Sequence, residues 1–426
     1  MKTMLLPLLF AMSLLPAAAQ DGNWPGFRGP TRQGIASGPP LPLKWNETEN
    51  IKWKTPVPGV GWSSPIVWGD HVFLTATEDE GVSCHVICFD AGNGALKWNT
   101  KVFEQKPPRK ENRNSHATPT PVTDGKHVYA VFGAGGMAAL DFSGKTVWTF
   151  SDFPFYSRHG LGASPILEDG LLVMPWDGST DPDKEGADKE KVGWQIPWDR
   201  SFVFAVDAAT GKLAWKTSRG SSRIAHITPN IWTDAEGRKQ VISGAGDVLQ
   251  GFDLKTGELI WTANNEGEGV TPSVLIADGI AVQPNGWGGA NSVKAFRLAG
   301  AKGHVKDSTM VWEQDKNASK LPSLVYVAPH IYSITESGMA WCAKADTGEV
   351  IYRERIGGST FAASPVVSDG RIYITGDQGE TFVLPAAPEF RILAQNPIGE
   401  KVQASPAVSG GKLFIRGENS LFCIGG

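Results

Sequence analysis

The chain has 426 residues, a net charge of −4, 50 glycines and 29 prolines. This length is too great for one simple core, so the chain is either a repeat array or a multi-domain protein. The glycines and prolines alternate with apolar runs, which excludes disorder and predicts turn-rich β-structure. The charge gives no basic surface for nucleic acid or for an anionic membrane.

Residues 1–19 have the composition of a secretory signal peptide. Lys2 precedes an apolar run from Met4 to Leu15, and three alanines end the segment at Ala19. The apolar run is shorter than the roughly 20 residues of a transmembrane helix. No cysteine precedes Cys84, so we expect no lipid anchor. We therefore predict a secreted or periplasmic protein without a membrane anchor.

Residues 20–49 precede the regular part of the chain. The stretch Asp21–Lys44 is dense in glycine and proline, which predicts an ordered strap and not a domain. The next segment, Asn50–Pro56, reads as an isolated strand with Trp53 near its centre.

Residues 50–426 repeat one unit, seen best in Ser201–Thr217 (SFVFAVDAATGKLAWKT). It predicts a strand with two apolar faces, a turn at Asp207, and a second strand that contains Trp215. Variants of this unit occur at Val86–Trp98, Ala138–Trp148 and Gly251–Trp261. A unit that recurs along a whole chain indicates a repeat architecture.

A second signature, Ser or Thr followed by Pro, begins each copy. Its positions are Ser64-Pro65, Thr120-Pro121, Ser164-Pro165, Thr228-Pro229, Thr271-Pro272, Pro322 (after a leucine), Ser364-Pro365 and Ser405-Pro406. Each copy carries four short strands, which is the period of a propeller blade. We predict an all-β, eight-bladed propeller of four-stranded antiparallel blades in one domain, residues 50–426. The alternative is seven blades, if the weak copy around Leu321–Arg355 is not a blade.

Aromatic residues occupy the outer strand of successive copies. They are Trp98, Trp148, Trp215, Trp261 and Trp312, with Tyr352 in the sixth copy. A large ring at this position can pack over the turn of the next blade. The eighth copy ends after three strands, so we predict that the N-terminal strand with Trp53 completes it and closes the ring.

The four cysteines are Cys84, Cys88, Cys342 and Cys423. The last three take the same repeat position in different copies, so they should lie beyond the roughly 7 Å Cα separation of a disulfide. Cys84 and Cys88 would lie about 13 Å apart on one strand face. We predict buried free thiols.

A hairpin insertion, Trp176–Arg200, interrupts the third copy. Its acidic residues between Asp181 and Asp188 loosely resemble a calcium loop, but Val192 stands where the bidentate glutamate is required. A solvated charged hairpin explains these residues better. No zinc spacing, P-loop or nucleophile elbow is present, and combinations such as Arg158-His159 with Asp177 are expected by chance.

The loops that enter the innermost strands, together with the hairpins between second and third strands, meet at one mouth of the channel. The candidate ligand-binding residues there are Trp62, Arg113, His116, Arg158, His159, Trp176, Asp177, Arg223, His226, Glu268 and Trp287. Polar groups that converge on a concave mouth with aromatic walls are a binding-site hypothesis. Arginine beside histidine favours an anionic ligand. Individual residues can equally serve only to hydrogen-bond the loop backbone.

The Ser-Pro strand starts, the AVDAATGKLAW type of unit and the closing KWKT strand resemble the pyrroloquinoline-quinone-like propeller repeat family over nearly the whole mature chain. WPGFRGP and SRHGLGASPIL resemble a secreted bacterial subgroup of unassigned role. The resemblance implies two functions. Outer-membrane assembly propellers bind protein, whereas quinoprotein dehydrogenases hold the quinone and calcium, typically beneath an adjacent-cysteine disulfide that this chain lacks.

We predict an exported, monomeric, non-catalytic propeller that binds a protein, peptide or carbohydrate at the channel mouth, with no cofactor, no metal and no nucleic acid. The alternative is an alcohol or sugar dehydrogenase that depends on pyrroloquinoline quinone and calcium. A purely structural role is a third possibility.

Overall fold

The computed structural model describes residues 22–179, 197–287, 291–305, 309–316, 318–358 and 360–426. The predicted signal peptide and the calcium-loop-like residues 181–188 therefore lie outside the described residues. No helix in the described ranges has the length and hydropathy of a membrane span.

The described chain forms eight antiparallel four-stranded blades, and a fifth strand joins blade 4 in parallel. Blade 1 contains Ile66–Trp68, His71–Glu78, Ser83–Asp90 and Leu96–Glu104. Blade 2 contains Val122–Thr123, His127–Val131, Met137–Asp141 and Thr146–Phe150. Blade 3 contains Ile166–Glu168, Leu171–Trp176, Trp198–Asp207 and Leu213–Ser222. Blade 4 contains Asn230–Thr233, Lys239–Gly244, Val248–Asp253, Leu259–Asn264 and the added Gly303–Val305.

The remaining blades follow the same order. Blade 5 contains Leu275–Ala277, Ile280–Asn285, Ser292–Arg297 and Met310–Gln314. Blade 6 contains Val325–Val327, His330–Ile334, Met339–Lys344 and Val350–Arg355. Blade 7 contains Val366–Ser368, Arg371–Thr375, Glu380–Pro385 and Ala394–Pro397. Blade 8 contains Ala407–Ser409, Lys412–Arg416, Ser420–Gly425 and the N-terminal Ile51–Pro56.

The predicted eight-bladed ring is confirmed, including its closure. The N-terminal strand pairs antiparallel with Ser420–Gly425, so that Trp53 stands opposite Cys423. The first strand of blade 8 contacts the first strand of blade 1. The copy around residues 321–355, the weakest in sequence, is a complete blade 6.

The repeating unit has the predicted environment. Phe202 through Val206 are each at most 8% exposed, because the third strand lies inside the sheet and between neighbouring blades. The turn that follows depends on Asp207, whose Oδ1 accepts hydrogen bonds from the backbone N–H and the hydroxyl of Thr210. Gly211 completes the turn at φ 69°. All four cysteines are buried and free, as predicted.

The tryptophans of the outer strands join neighbouring blades. Each indole Nε1 donates to a turn carbonyl of the next blade: Trp53 to Ala91, Trp98 to Phe142, Trp148 to Ala208, Trp215 to Leu254, and Trp312 to Ala345. A turn glycine packs against each of these rings, so near that a Cβ on it would lie 2.5–2.7 Å from ring atoms. Tyr352 takes the position in blade 6 and lies 5.7 Å from the ring of Phe390.

Trp261 departs from the predicted pattern. Its Nε1 donates to Oε1 of Gln240 within its own blade, and the ring covers Gly251. The connection between the third and fourth strands of blade 5 is long and lacks the aspartate-led turn of blades 1 to 4. Its segment Gly303–Val305 instead pairs in parallel with the outer strand of blade 4.

A ring of hydroxyl groups surrounds the channel, and we call it the hydroxyl belt. It consists of Ser64, Thr120, Ser164, Thr228, Ser273, Ser323, Ser364 and Ser405, all buried. The backbone N–H of one member donates to the hydroxyl oxygen of the next at 2.8–3.0 Å for the pairs 64–120, 120–164, 164–228, 273–323, 323–364 and 364–405. The hydroxyl therefore explains the Ser/Thr of the signature at Thr120, Ser164, Thr228, Ser364 and Ser405.

The N-terminal strap lies across one mouth of the channel. Trp24 exchanges two backbone hydrogen bonds with Val67 of blade 1, and the N–H of Ile276 in blade 5 donates to the side chain of Gln33 at 2.7 Å. Gly34 and Ala36 bond to Val367 of blade 7. The strap thereby contacts innermost strands on opposite sides of the ring. We call this side the strap face.

Candidate functional site

The loops that enter the innermost strands lie at the opposite end of the blades from the turns between first and second strands. The hairpins between second and third strands emerge on the same side, because strands in a blade alternate in direction. We call this side the loop face. All the predicted mouth residues belong to its loops and hairpins.

Three of these residues meet where the loops of blades 3, 4 and 5 converge. The rings of His159 and His226 lie 5.9 Å apart. The loops entering blades 4 and 5 are joined by a parallel bridge between Ala225 and Val270, and the N–H of His226 donates to the carbonyl of Val270 at 2.7 Å. Glu268, only 8% exposed, precedes this bridge by two residues. We call this region the blade 3–5 sector.

Buried polar atoms without a hydrogen-bond partner are concentrated in this sector. Seven of the 20 such side-chain atoms in the described residues belong to five side chains: His226 (both ring nitrogens), Gln250, Asn265, Gln283 and Asn285 (both amide atoms). A native interior pairs nearly all its polar groups, so a concentration of unpaired ones marks a place completed by water or a ligand. All five groups are uncharged donors or acceptors in this environment.

Burial sets the protonation states in this sector. It lowers the pKa of His226 to about 3, with a smaller contribution from His159 in the same direction, so the buried imidazole is neutral. Burial also raises the pKa of Glu268, against the opposing effect of the Arg223 guanidinium. The sector therefore offers neutral hydrogen-bonding groups beside a carboxylate that is partly shielded from water.

Two of the three predicted mouth arginines, Arg158 and Arg223, lie beside carboxylates. The Nε of Arg223 donates to Oδ1 of Asp247 at 2.8 Å, and the guanidinium of the exposed Arg158 lies 3.9 Å from Glu111. Arg113 is exposed on its loop. The structure thus gives less support to an arginine-bound anion than the sequence pattern did.

The remaining predicted residues lie elsewhere on the loop face. Trp176 is 1% exposed and packs edge-on to Phe155 and Phe204, so it belongs to the core. Asp177 forms a fully buried ion pair with Arg219 at 2.8 Å, and burial raises the pKa of its carboxyl to about 6 despite that cation.

Three further mouth residues contact the loop framework. The backbone N–H of Trp62 donates to Oγ of Ser115 at 3.1 Å. His116 packs against Gly81, where a Cβ would lie 2.3 Å from the imidazole, and burial lowers the pKa of this histidine. The Trp287 indole donates to the carbonyl of Lys320, whose ammonium lies 4.6 Å from the ring centre.

The sequence interpretation missed an aromatic cleft of about 700 Å³ between the loops of blades 1 to 3. Its walls include Phe103, Phe150, Phe155, Tyr156, Trp176 and Trp198, and Lys106, Arg109 and Arg200 lie among the lining residues. The extended segment 105–109, with two successive prolines, forms one side. That Pro-Pro pair beside basic residues was the sequence signal that could have indicated it.

The described side chains do not fit the calcium ion of a quinoprotein site. Calcium takes six to eight oxygen ligands, whereas no group of three or more His, Cys, Asp or Glu in the described ranges is placed to hold a metal. Asp177 and Asp247, beside the sector, are each bound to an arginine, which leaves Glu268 as the carboxylate of the sector itself. We therefore derive no step that uses a quinone or calcium.

Sequence and structure comparisons place the chain among known propellers. The family described as outer membrane protein assembly factor BamB matches residues 26–156, 198–303 and 304–387. The structure superposes on BamB from Moraxella catarrhalis with a TM-score of 0.61 at 12% identity, covering 88% of this chain and 99% of that chain. It superposes on quinohemoprotein alcohol dehydrogenase ADHIIG from Pseudomonas putida HK5 with a TM-score of 0.64 at 12% identity, covering 96% and 81%. At these identities the likeness shows the fold alone.

One curated relative also matches. Tetrathionate hydrolase from Acidithiobacillus ferrooxidans is 23% identical over 205 residues, which are 44% of this chain and 39% of that protein. The chain therefore spans about two fifths of the length of this relative.

Proposed function

We propose that this chain, which belongs to the family described as outer membrane protein assembly factor BamB, is a non-catalytic scaffold that binds a peptide segment of a partner protein in the blade 3–5 sector. The proposal depends on one observation above all, the unpartnered buried groups of His226, Asn265, Gln283 and Asn285. Amide and imidazole groups both donate and accept, so they can pair with the N–H and C=O groups of a peptide backbone.

The surroundings of the sector support a binding role. The strap covers the opposite mouth, which leaves the loop face for a partner. Arg223 is bound to Asp247, and the exposed Arg158 lies 3.9 Å from Glu111, so the buried unpaired groups of the sector are neutral ones. The compartment we propose is secreted or periplasmic, in accord with the predicted signal peptide.

The test is selection of peptides from a random display library on the purified protein, followed by fluorescence polarisation with each selected peptide. Asn285→Ala and His226→Ala should each weaken binding about tenfold, since each removes hydrogen-bonding groups that the bound peptide completes. Asn419→Ala is the matched control, because Asn419 is an exposed asparagine in the corresponding hairpin of blade 8. Its binding should equal that of the unchanged protein.

Two results would overturn the proposal. If Asn285→Ala and His226→Ala both leave the affinity of the selected peptides unchanged, the peptides bind outside the sector. If the protein binds neutral oligosaccharides and no peptide, its ligand is a carbohydrate. A thermal-shift titration with pyrroloquinoline quinone and calcium tests the enzymatic alternative. We expect no stabilisation; a saturable shift that Trp287→Ala abolishes would establish the quinone site instead.

A further inference from the structure

The strap places one arginine inside the channel. Arg28 is 1% exposed and adopts φ 62°, in a turn whose next residue, Gly29, packs on the ring of Trp24. A Cβ on Gly29 would lie 2.6 Å from that ring, so the turn is held tightly against blade 1. The guanidinium consequently has little freedom to reach solvent.

The Arg28 guanidinium is incompletely paired. Its Nη2 donates to the carbonyls of Gln33, at 2.9 Å, and Leu324. Its Nε and Nη1 are buried without a partner in the described chain. Burial lowers the pKa of Arg28 to about 9, and no carboxylate opposes this effect. The group is therefore charged at neutral pH and has no counterion among the described residues.

Arg28 lies at the level of the hydroxyl belt, since Leu324 directly follows the belt residue Ser323. Six belt hydroxyls accept a backbone N–H and still carry a proton that they can donate. The hydroxyl of Ser273 is buried without any partner. The cationic Arg28 thus lies inside the channel at the level where the belt hydroxyls surround it.

We propose that the channel beneath the strap binds a small monovalent anion, with halide as the representative, between Arg28 and the hydroxyl belt. A single negative charge neutralises the one unpaired guanidinium, whereas a divalent anion would leave an excess charge in a buried site. Nε–H, Nη1–H and the belt hydroxyls supply the donors that a halide requires. This site is distinct from the blade 3–5 sector and does not depend on the function proposed for it.

Arg416 provides a matched comparison. It is 2% exposed, burial lowers its pKa to about 9, and no carboxylate opposes that effect. Its Nη1, however, donates to Oγ and the carbonyl of Ser63 and to the carbonyl of Thr75, at 2.7–3.3 Å. Since neither its Nε nor its other nitrogens are among the buried unpartnered atoms, Arg416 does not need an added ligand.

The experiment compares thermal unfolding in sodium chloride and in sodium gluconate at equal ionic strength. The unchanged protein and Arg416→Met should both melt about 3 °C higher in chloride, because chloride binds the native state at Arg28. Arg28→Met should lose that difference. Crystals soaked in sodium bromide should show an anomalous peak beside Nε and Nη1 of Arg28.

The bromide measurement on the unchanged protein decides the matter if Arg28→Met does not fold. Density beside Arg28 without an anomalous signal would mean water and would overturn the proposal. Equal melting temperatures in chloride and gluconate would also overturn it, as would a chloride effect that Arg28→Met retains.

Discussion

Replacing Gly94 by alanine tests the non-covalent closure of the ring. Gly94 lies in the turn between the third and fourth strands of blade 1 and adopts φ 74°. A Cβ at this position would lie 2.6 Å from Cε3 and 2.7 Å from Cδ2 of Trp53, the residue that the N-terminal strand contributes to blade 8. The side chain would therefore push directly against the closing strand.

Two costs add in Gly94→Ala. Placing alanine in the left-handed region costs about 1–2 kcal/mol, and overlap with a packed ring costs about 1–3 kcal/mol. The expected loss in the free energy of unfolding is therefore about 2–5 kcal/mol. Gly170→Ala is the matched control, because Gly170 has φ 76° and no heavy atom within 4 Å of its Cβ position. Gly170→Ala should lower the free energy of unfolding only by the cost of placing alanine in the left-handed region.

The assay is equilibrium unfolding in urea with a double-mutant cycle. Trp53→Ala alone should cost about 3–5 kcal/mol, since its ring is 9% exposed and packs on Phe414 at 5.9 Å. In that background Gly94→Ala should cost no more than Gly170→Ala, because the overlapping ring is gone. The reasoning fails if Gly94→Ala and Gly170→Ala cost the same in the unchanged protein, or if the excess persists without Trp53.

Two further predictions concern the belt and the sector. Ser164→Ala leaves the buried N–H of Thr120 unpaired, so urea unfolding should show a free energy of unfolding about 1–3 kcal/mol lower. Ser164→Thr keeps a hydroxyl, as at Thr120 and Thr228, and should lower the free energy of unfolding much less. Equal losses in the two variants would contradict the role of the hydroxyl. His226 has a pKa near 3 in the folded protein and 6.5 as its ordinary value, so the unfolded chain binds the proton first as pH falls. The stability that the neutral His226 contributes is fully present above about pH 6.5. It is lost progressively at lower pH, so that the free energy of unfolding is about 3 kcal/mol lower at pH 4.5. His226→Gln should reduce the difference in unfolding free energy between pH 7 and pH 4.5, whereas a change at the exposed His304 should leave it intact.

The fold could be predicted because most blades repeat some of the same short signals. Asp207 with Gly211 fixes a turn wherever the pair recurs, and an outer tryptophan such as Trp215 marks the joint with the next blade. Eight copies of such signals make the count robust even where one copy is weak. Because the last copy lacks an outer strand, the segment around Trp53 was predicted to supply it, and the structure confirms this pairing.

Proline identified the blades, but in two of them its position relative to the first strand differs by two residues: the strand begins one residue after Pro65 and three residues after Pro272 and Pro322. The belt hydroxyl precedes the proline at Ser64 and Ser364, whereas in blades 5 and 6 it follows, at Ser273 and Ser323. Proline restricts only φ, so its position does not reveal which neighbour contacts the next blade. The hydrogen bond that defines the belt becomes visible only once the blades are assembled.

The candidate site could be predicted only in part, for the same physical reason. His159, His226 and Glu268 belong to loops whose position on the mouth follows from strand order. Asn285 ends the second strand of blade 5, so strand order also places it at the mouth, whereas Gln283 lies within that buried strand. Nothing in the local sequence of either residue distinguishes a paired amide from an unpaired one. Whether such a group finds a partner depends on the neighbouring blade.

The blade 3–5 sector coincides with a break in the repeat between blades 4 and 5. The belt has no hydrogen bond between Thr228 and Ser273, as it has none between Ser405 and Ser64, and the hydroxyl of Ser273 has no partner in the described chain. The indole of Trp261 bonds within its own blade and not to the next blade. The parallel strand Gly303–Val305 supplies a different connection between the same two blades. This different connection lies beside the unpaired groups of His226 and Asn285. Under the proposed function, Asn285→Ala should lose peptide binding while its free energy of unfolding stays unchanged, and an equal loss of both would mean that Asn285 serves stability alone.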